Sequence, residues 1–284
     1  MLNLKNEDFI SQRIIVVSET ENDTPEATAK DQIANSLSRF LGATYGPGQL
    51  SEATDREAFH DRFNHRMVHL GLRRQHNIEA VFEAAFEAAD QLGNGDVDGD
   101  WLARFLSYAE QVGNENMQQV WGFILACEYE KPGSVRPSSL ECLSNMTVSD
   151  MELWERIGRM IFSEGYVFKV GGRNQFERFA VSRDDIINLQ TIGLLQESHD
   201  LSVTFSAETK GLTFAYQGAD IILRHPDLTL FTLPAFKLSA AGLQLFKLLI
   251  DSPVDEDYLR ALGTELGPNG YDYRIRLADG ALIQ

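Results

Sequence analysis

Between Trp101 and Ile161 apolar residues recur at helical spacing almost without a break, and one turn, Lys131-Pro132-Gly133-Ser134, cuts the run. Trp101, Leu102, Phe105, Leu106, Ala109 and Val112 share one helix face, and Met117, Val120, Trp121, Ile124 and Leu125 form a second stripe. Beyond the turn, Pro137 suits the first turn of a helix carrying Leu140, Leu143 and Met146. Ser149 with Glu152 reads as a capping box for a helix bearing Leu153, Trp154, Ile157, Met160 and Ile161. An amphipathic helix must bury its stripe against another element, so this stretch is constrained to fold as stacked helices.

The same spacing extends upstream. Asp55 to Asp90 is strongly helical: Phe59, Phe63, Met67 and Leu70 recur at helix period, as do Ile78, Val81, Phe82, Ala85, Phe86 and Ala89. Gly93-Asn94-Gly95 ends that helix, and Asp98 or Asp100 can cap the next. Residues 1–50 read as a flexible acidic arm with one short apolar run at Ile14–Val17. Gly42, Gly46, Pro47 and Gly48 break any helix begun at Ala34.

The pattern changes at Gly165. Tyr166–Val170 and Phe176–Val181 flank Gly171-Gly172 and read as a β-hairpin. Ser182, with Asp185 three residues on, caps a short helix through Leu189, Ile192 and Leu195. Leu201, Val203 and Phe205 alternate, and Leu212, Phe214 and Tyr216 alternate again after a Lys210-Gly211 turn. Further strands are expected at Ile221–Leu223 and Leu228–Leu233, then helices from Ser239 and near Tyr258–Leu266. A terminal hairpin would turn at Asp279-Gly280. The expected fold class is therefore α+β: an arm at 1–50, a multi-helix domain at 51–164, a mixed, winged-helix-like domain at 165–252 and a tail at 253–284, with the join near 163–166.

Composition narrows the partners. A formal net charge of -17 repels phosphate backbones and anionic membranes at long range, so nucleic-acid binding would need a local basic patch. The most apolar stretch, Leu228–Ile250, is interrupted by Thr229, Thr232, Pro234, Lys237 and Lys247 and is too polar to span a bilayer. The N-terminus lacks a basic region followed by an apolar core, as a signal peptide would require. Cys127 and Cys142 are the only cysteines, and two thiols on amphipathic helices suit small core residues in a reducing cytosol. The expectation is a cytoplasmic protein without cofactor, metal or membrane association.

Tests for chemistry return few candidates. Asn94-Gly-Asp96-Val-Asp98-Gly-Asp100 resembles the first half of a calcium loop, but its twelfth position is Phe105, where a bidentate carboxylate is needed. His65 and His69 stand one helical turn apart and could share a metal, but arginines surround them and oppose a divalent cation. Arg62, His65, Arg66, His69, Arg73 and Arg74 make the one basic cluster in an acidic chain and are the candidate partner-binding residues, facing an acidic partner, an RNA or the chain's own acidic arm, set against their reading as a solvated helix face. Glu128 falls on the apolar side of its helix and is a candidate structural ion pair, with Arg104 or Arg136 as possible partners. The helix after Ser182 offers Arg183 alone against Asp184 and Asp185, which is poor for reading DNA. No phosphate-binding loop, nucleophile elbow or zinc-protease signature is present.

The stretch Met117-Gln-Gln-Val-Trp121-Gly-Phe-Ile124-Leu125-Ala126-Cys-Glu128, followed by Pro132-Gly133-Ser134, is similar to the M-Q-x-[LV]-W-x-x-I-L-A-x-E…P-G-S pattern of an uncharacterised bacterial domain-of-unknown-function family, whose members resemble abortive-infection alpha proteins. Arg73-Arg74, Asp98-x-Asp100-Trp101-Leu102 and Leu238-Ser-Ala-Ala-Gly242-Leu fit too, so the resemblance spans roughly residues 70–250. It carries no catalytic residues over. It implies a setting in bacterial stress response or phage defence. The reading is a non-catalytic interaction or regulatory module whose partner is another protein or a second copy, with Trp101, Trp121 and Trp154 as a dimer face. Two competitors stand beside it: a winged-helix nucleic-acid-binding regulator, and a hydrolase or nuclease using Glu128 or the His65/His69 pair.

Overall fold

A computed structural model describes residues 29–42, 56–89, 96–170, 175–197, 202–206, 211–216, 219–224, 230–250, 255–266, 272–276 and 282–283. Its architecture is α+β with a helical N-terminal region. The chain divides into two units, Met1–Pro132 and Gly133–Gln284. The division falls at the Pro-Gly turn, and the change of pattern at Gly165 lies inside the second unit.

The described part of the first unit is helical: α1 (Ala29–Leu41), α2 (Arg56–Ala88), α3 (Gly99–Ala109) and α4 (Glu115–Glu130). Asp98 Oδ1 accepts from the Trp101 amide at 2.8 Å and starts α3, and Asn114 Oδ1 accepts from Met117 at 3.1 Å and starts α4. Trp101, Phe105 and Trp121 form a buried aromatic line, with ring centroids 5.3 and 5.4 Å apart. α2 lies close on α4 because Gly122 has no side chain: a Cβ there would stand 2.5 Å from Ala84 Cβ and 2.7 Å from the Ala85 nitrogen. Two buried amides fasten the turn between α3 and α4, Asn77 from α2 and Gln118 from α4. Asn77 donates to the Glu110 carbonyl at 2.9 Å, and Gln118 donates to the Val112 carbonyl at 2.8 Å.

One helix, α1, occupies part of the expected arm. His69 Nε2 donates to the Arg39 carbonyl at 3.1 Å, and the Arg73 guanidinium lies 3.8 Å from the Phe40 ring centre. The apolar run at Ile14–Val17 lies outside the described residues.

The second unit opens with α5 (Pro137–Ser144) and α6 (Val148–Gly158). Gln244 clasps the turn before α5: it donates to the Ser134 carbonyl and accepts from the Arg136 amide and the Ser139 hydroxyl. The capping box of α6 is Thr147 with Asp150, two residues before the Ser149–Glu152 box expected from sequence. β1 (Tyr166–Phe168) follows. The expected hairpin across Gly171-Gly172 does not form: β1 pairs with β5 (Leu230–Lys237), and Gln175–Phe179 is a 3-10 helix. α7 (Arg183–Ile192) carries the expected Ser182–Asp185 capping box. Lys210, of the expected Lys210-Gly211 turn, lies outside the described residues. β2 (Ser202–Ser206) pairs with β5, and β3 (Gly211–Tyr216) pairs with β4 (Ala219–Arg224).

Among the described residues the strands give two antiparallel sheets, β1-β5-β2 and β3-β4-β6-β7, with β6 at Asp272–Arg276 and β7 at Leu282–Ile283. The terminal β6–β7 pair is the expected hairpin; Asp279-Gly280 lies outside the described residues. α8 (Ala240–Leu249) starts at Ser239, and α9 (Glu256–Leu266) follows. Gly242 lets α8 approach Leu194, whose carbonyl oxygen would stand 2.0 Å from a Cβ. The unit's core gathers Trp154, Ile157, Phe162, Phe168 and Tyr258, and the Tyr258 hydroxyl donates to the Phe168 carbonyl at 2.9 Å.

Candidate partner-binding surface

α2 is 33 residues long and α4 is 16, or about 50 Å against about 24 Å at 1.5 Å per residue. At about 100° per residue, Phe59, Phe63, Met67, Leu70, Asn77, Val81 and Ala85 fall within one narrow arc. Toward the C-terminal end of that arc Asn77, Val81 and Ala85 are buried. Toward the N-terminal end Phe59, Phe63 and Met67 are 56%, 43% and 53% exposed, and Leu70 is half-buried. The core-facing side of the helix thus runs on beyond its core. α1 adds Ile33, Leu37 and Phe40, all exposed and spaced as one stripe.

The six candidate residues divide over this surface. His69 and Arg73 hold α1 through Arg39 and Phe40. Gly42, in the left-handed region at φ 68°, packs on the His69 ring. Arg74 forms an ion pair with Glu110 at 3.5 Å, bracing α2 on the end of α3. Arg62, His65 and Arg66 remain toward the N-terminal end. Arg62 and Arg66 border the apolar arc, and the Arg66 guanidinium lies 5.6 Å from the Phe63 ring centre. Arg66 is half-buried, and its Nε meets no hydrogen-bond partner among the described residues. From Arg56 to His76 the helix carries five arginines against Glu57 and Asp61, a local net charge of +3 in a chain of net -17.

The other candidates sit in packing roles. Asp98 serves α3 as its cap. Among the described residues no group of three His, Cys, Asp or Glu side chains is placed to hold a metal ion. Glu128 is 1% exposed on α4, beside the buried Leu125 and Ala126. Trp101, Trp121 and Trp154 lie in the cores of their own units, so they offer no face to a second copy. Burial, with Glu130 and then Glu128 nearby, pushes the Cys127 thiol up to about 11, and burial with Glu141 pushes Cys142 up to about 12. Among the described residues no helix is long and apolar enough to cross a membrane.

Sequence reasoning missed Asn77, Gln118 and Gln244. Each is a buried or part-buried amide whose partners are mostly backbone groups, and nothing in residue spacing distinguishes such an amide from a surface one.

The model of a family described as a protein of unknown function (DUF2806) matches residues 61–263. The chain belongs to the DUF2806 family. No curated protein and no solved structure matches it. The DUF2806 region begins inside α2 and ends inside α9. It therefore includes Arg62 to Arg74 and leaves out α1 and Phe59.

Proposed function

We propose that this DUF2806 protein is a non-catalytic interaction or regulatory module whose contact surface is the N-terminal half of α2. One observation carries the reading: the core-facing arc of α2 continues past α3 and α4, with Phe59, Phe63 and Met67 exposed beside Arg62 and Arg66. Large exposed apolar patches rimmed by charge mark interaction sites more often than solvated faces. Glu128 fits a buried structural ion pair rather than a reacting acid, because it shares its side of α4 with apolar core. The partner is another protein. A setting in stress response or phage defence is what the resemblance of the Met117–Glu128 motif adds to this reading.

The test compares wild type with Phe59→Asp/Phe63→Asp as immobilised baits against host lysate. The reading expects a component retained by wild type and lost by the variant while the melting temperature is unchanged. It fails if no retained component depends on α2.

A further inference from the structure

We infer that the partner docks on α2 through an acidic amphipathic helix. Its apolar side would meet Phe59, Phe63 and Met67, and its carboxylates would meet Arg62 and Arg66. The inference rests on the interaction reading above and names the partner's chemistry.

Shape is the first argument. The arc that packs on α4 between Asn77 and Ala85 is the same arc that carries Phe59, Phe63 and Met67. Along α4, helix against helix is how this arc is covered. α2 is about 25 Å longer than α4, and Phe59, Phe63 and Met67 stay exposed although α1 is held at His69 and Arg73. Helix-in-groove recognition reads such a surface through apolar anchors one turn apart, as Phe59, Phe63 and Met67 are.

Charge is the second. The stretch is locally +3 where the whole chain is -17. Arg62 and Arg66 border the apolar arc, and the Arg66 guanidinium lies 5.6 Å from the Phe63 ring centre, so charge and apolar anchor sit side by side. A carboxylate supplies the bidentate acceptor a guanidinium is shaped for. Two other occupants fit less well. A second copy meeting the same face would bring two stretches of local charge +3 together, which is unfavourable. A nucleic acid would suit the arginines but leave Met67, Ile33 and Leu37 without an apolar counterpart, and the field of the acidic chain opposes it.

The experiment titrates two labelled synthetic helical peptides with the intact chain. Both carry leucines at i, i+3, i+4 and i+7; one has glutamates at the remaining positions, the other lysines. Fluorescence anisotropy should show the glutamate peptide binding at least ~10-fold more tightly, with affinity falling as salt rises. Arg62→Glu/Arg66→Glu should invert the preference. Phe63→Asp should weaken the glutamate peptide ~10-fold, with circular dichroism melts checking that both variants stay folded. Equal affinities, a lysine preference or no binding by either peptide would overturn the inference. So would light scattering that shows a dimer dissolved by Phe63→Asp, or single-stranded RNA displacing the peptide. Should a lysate component depend on α2 while the glutamate peptide does not bind, the inference falls and the interaction reading stands. Should no component depend on α2, the reading itself falls.

Discussion

Gly122 sets how closely α2 and α4 approach, and the margin is small enough to measure. A methyl group at this position would stand 2.5 Å from Ala84 Cβ and 2.7 Å from the Ala85 nitrogen, and the backbone nitrogen cannot rotate away as a side chain could. Gly122→Ala gains about 1 kcal/mol of helix propensity, but helix separation then costs about 1–3 kcal/mol. The expected net result is destabilisation, seen as a lower urea midpoint; an unchanged or raised midpoint would contradict the packing. The cysteines make a second residue-scale case. Both thiols are held above their ordinary range by burial first, then by neighbouring carboxylates. The folded chain therefore keeps protons that the unfolded chain releases above about pH 8.5. Their contribution to stability is complete below that pH and is lost as pH rises toward about 11 and about 12. Thiol reagents should label the native chain slowly at pH 8, with Cys142 following unfolding.

Asp150 shows what one side chain can do for whole elements. It accepts from the Thr147 amide and hydroxyl to start α6, and from Asn188 to fasten α6 to α7. Burial works against its charge, but the bonds from Thr147 and Asn188 prevail and hold the carboxyl below its ordinary range. Asp150→Ala should cost about 1–2 kcal/mol in chemical denaturation. The sign with pH follows: the contribution is present above the unfolded value of about 3.9 and is lost as pH falls through the lower folded value. A wild-type advantage that persists undiminished in acid would contradict it.

Caps and stripes of this kind are local, which is why they were legible. Asp98, Ser182, Ser239 and Pro137 each stand where their helix begins, and only the α6 box was displaced, because Thr147-x-x-Asp150 and Ser149-x-x-Glu152 overlap. Strand partners are not local. β1 finds β5 across some 60 intervening residues, so the nearby Gly171-Gly172 signal misled. Phe176 and Phe179, which suggested a strand, instead pack on Phe236 and Tyr258 from a 3-10 helix. The candidate surface was half legible. Its charges stand out in composition, but only the packing of α1 and α3 gives His69, Arg73 and Arg74 structural partners and leaves Phe59, Phe63 and Met67 outside the core.

At the scale of the whole molecule, the division at Pro132 and Gly133 determines what can fold alone. The second unit keeps its own fastenings within itself. Gln244 clasps the turn before α5, Ser239 donates to the Gly193 carbonyl, and Tyr258 donates to Phe168. Its largest buried side chains, Trp154, Phe162, Phe168 and Tyr258, lie in one core. At 152 residues, Gly133–Gln284 is well within the size range of independent domains. Expressed by itself, this fragment should melt cooperatively and keep the near-ultraviolet dichroism of Trp154 and Tyr258 held in fixed surroundings. It should also bind neither peptide, since Phe59 to Arg74 lie in the other unit. A fragment with helical far-ultraviolet signal but no cooperative melt would mean that the second unit needs the first to pack its core. Peptide binding by the fragment would move the contact surface away from α2 altogether.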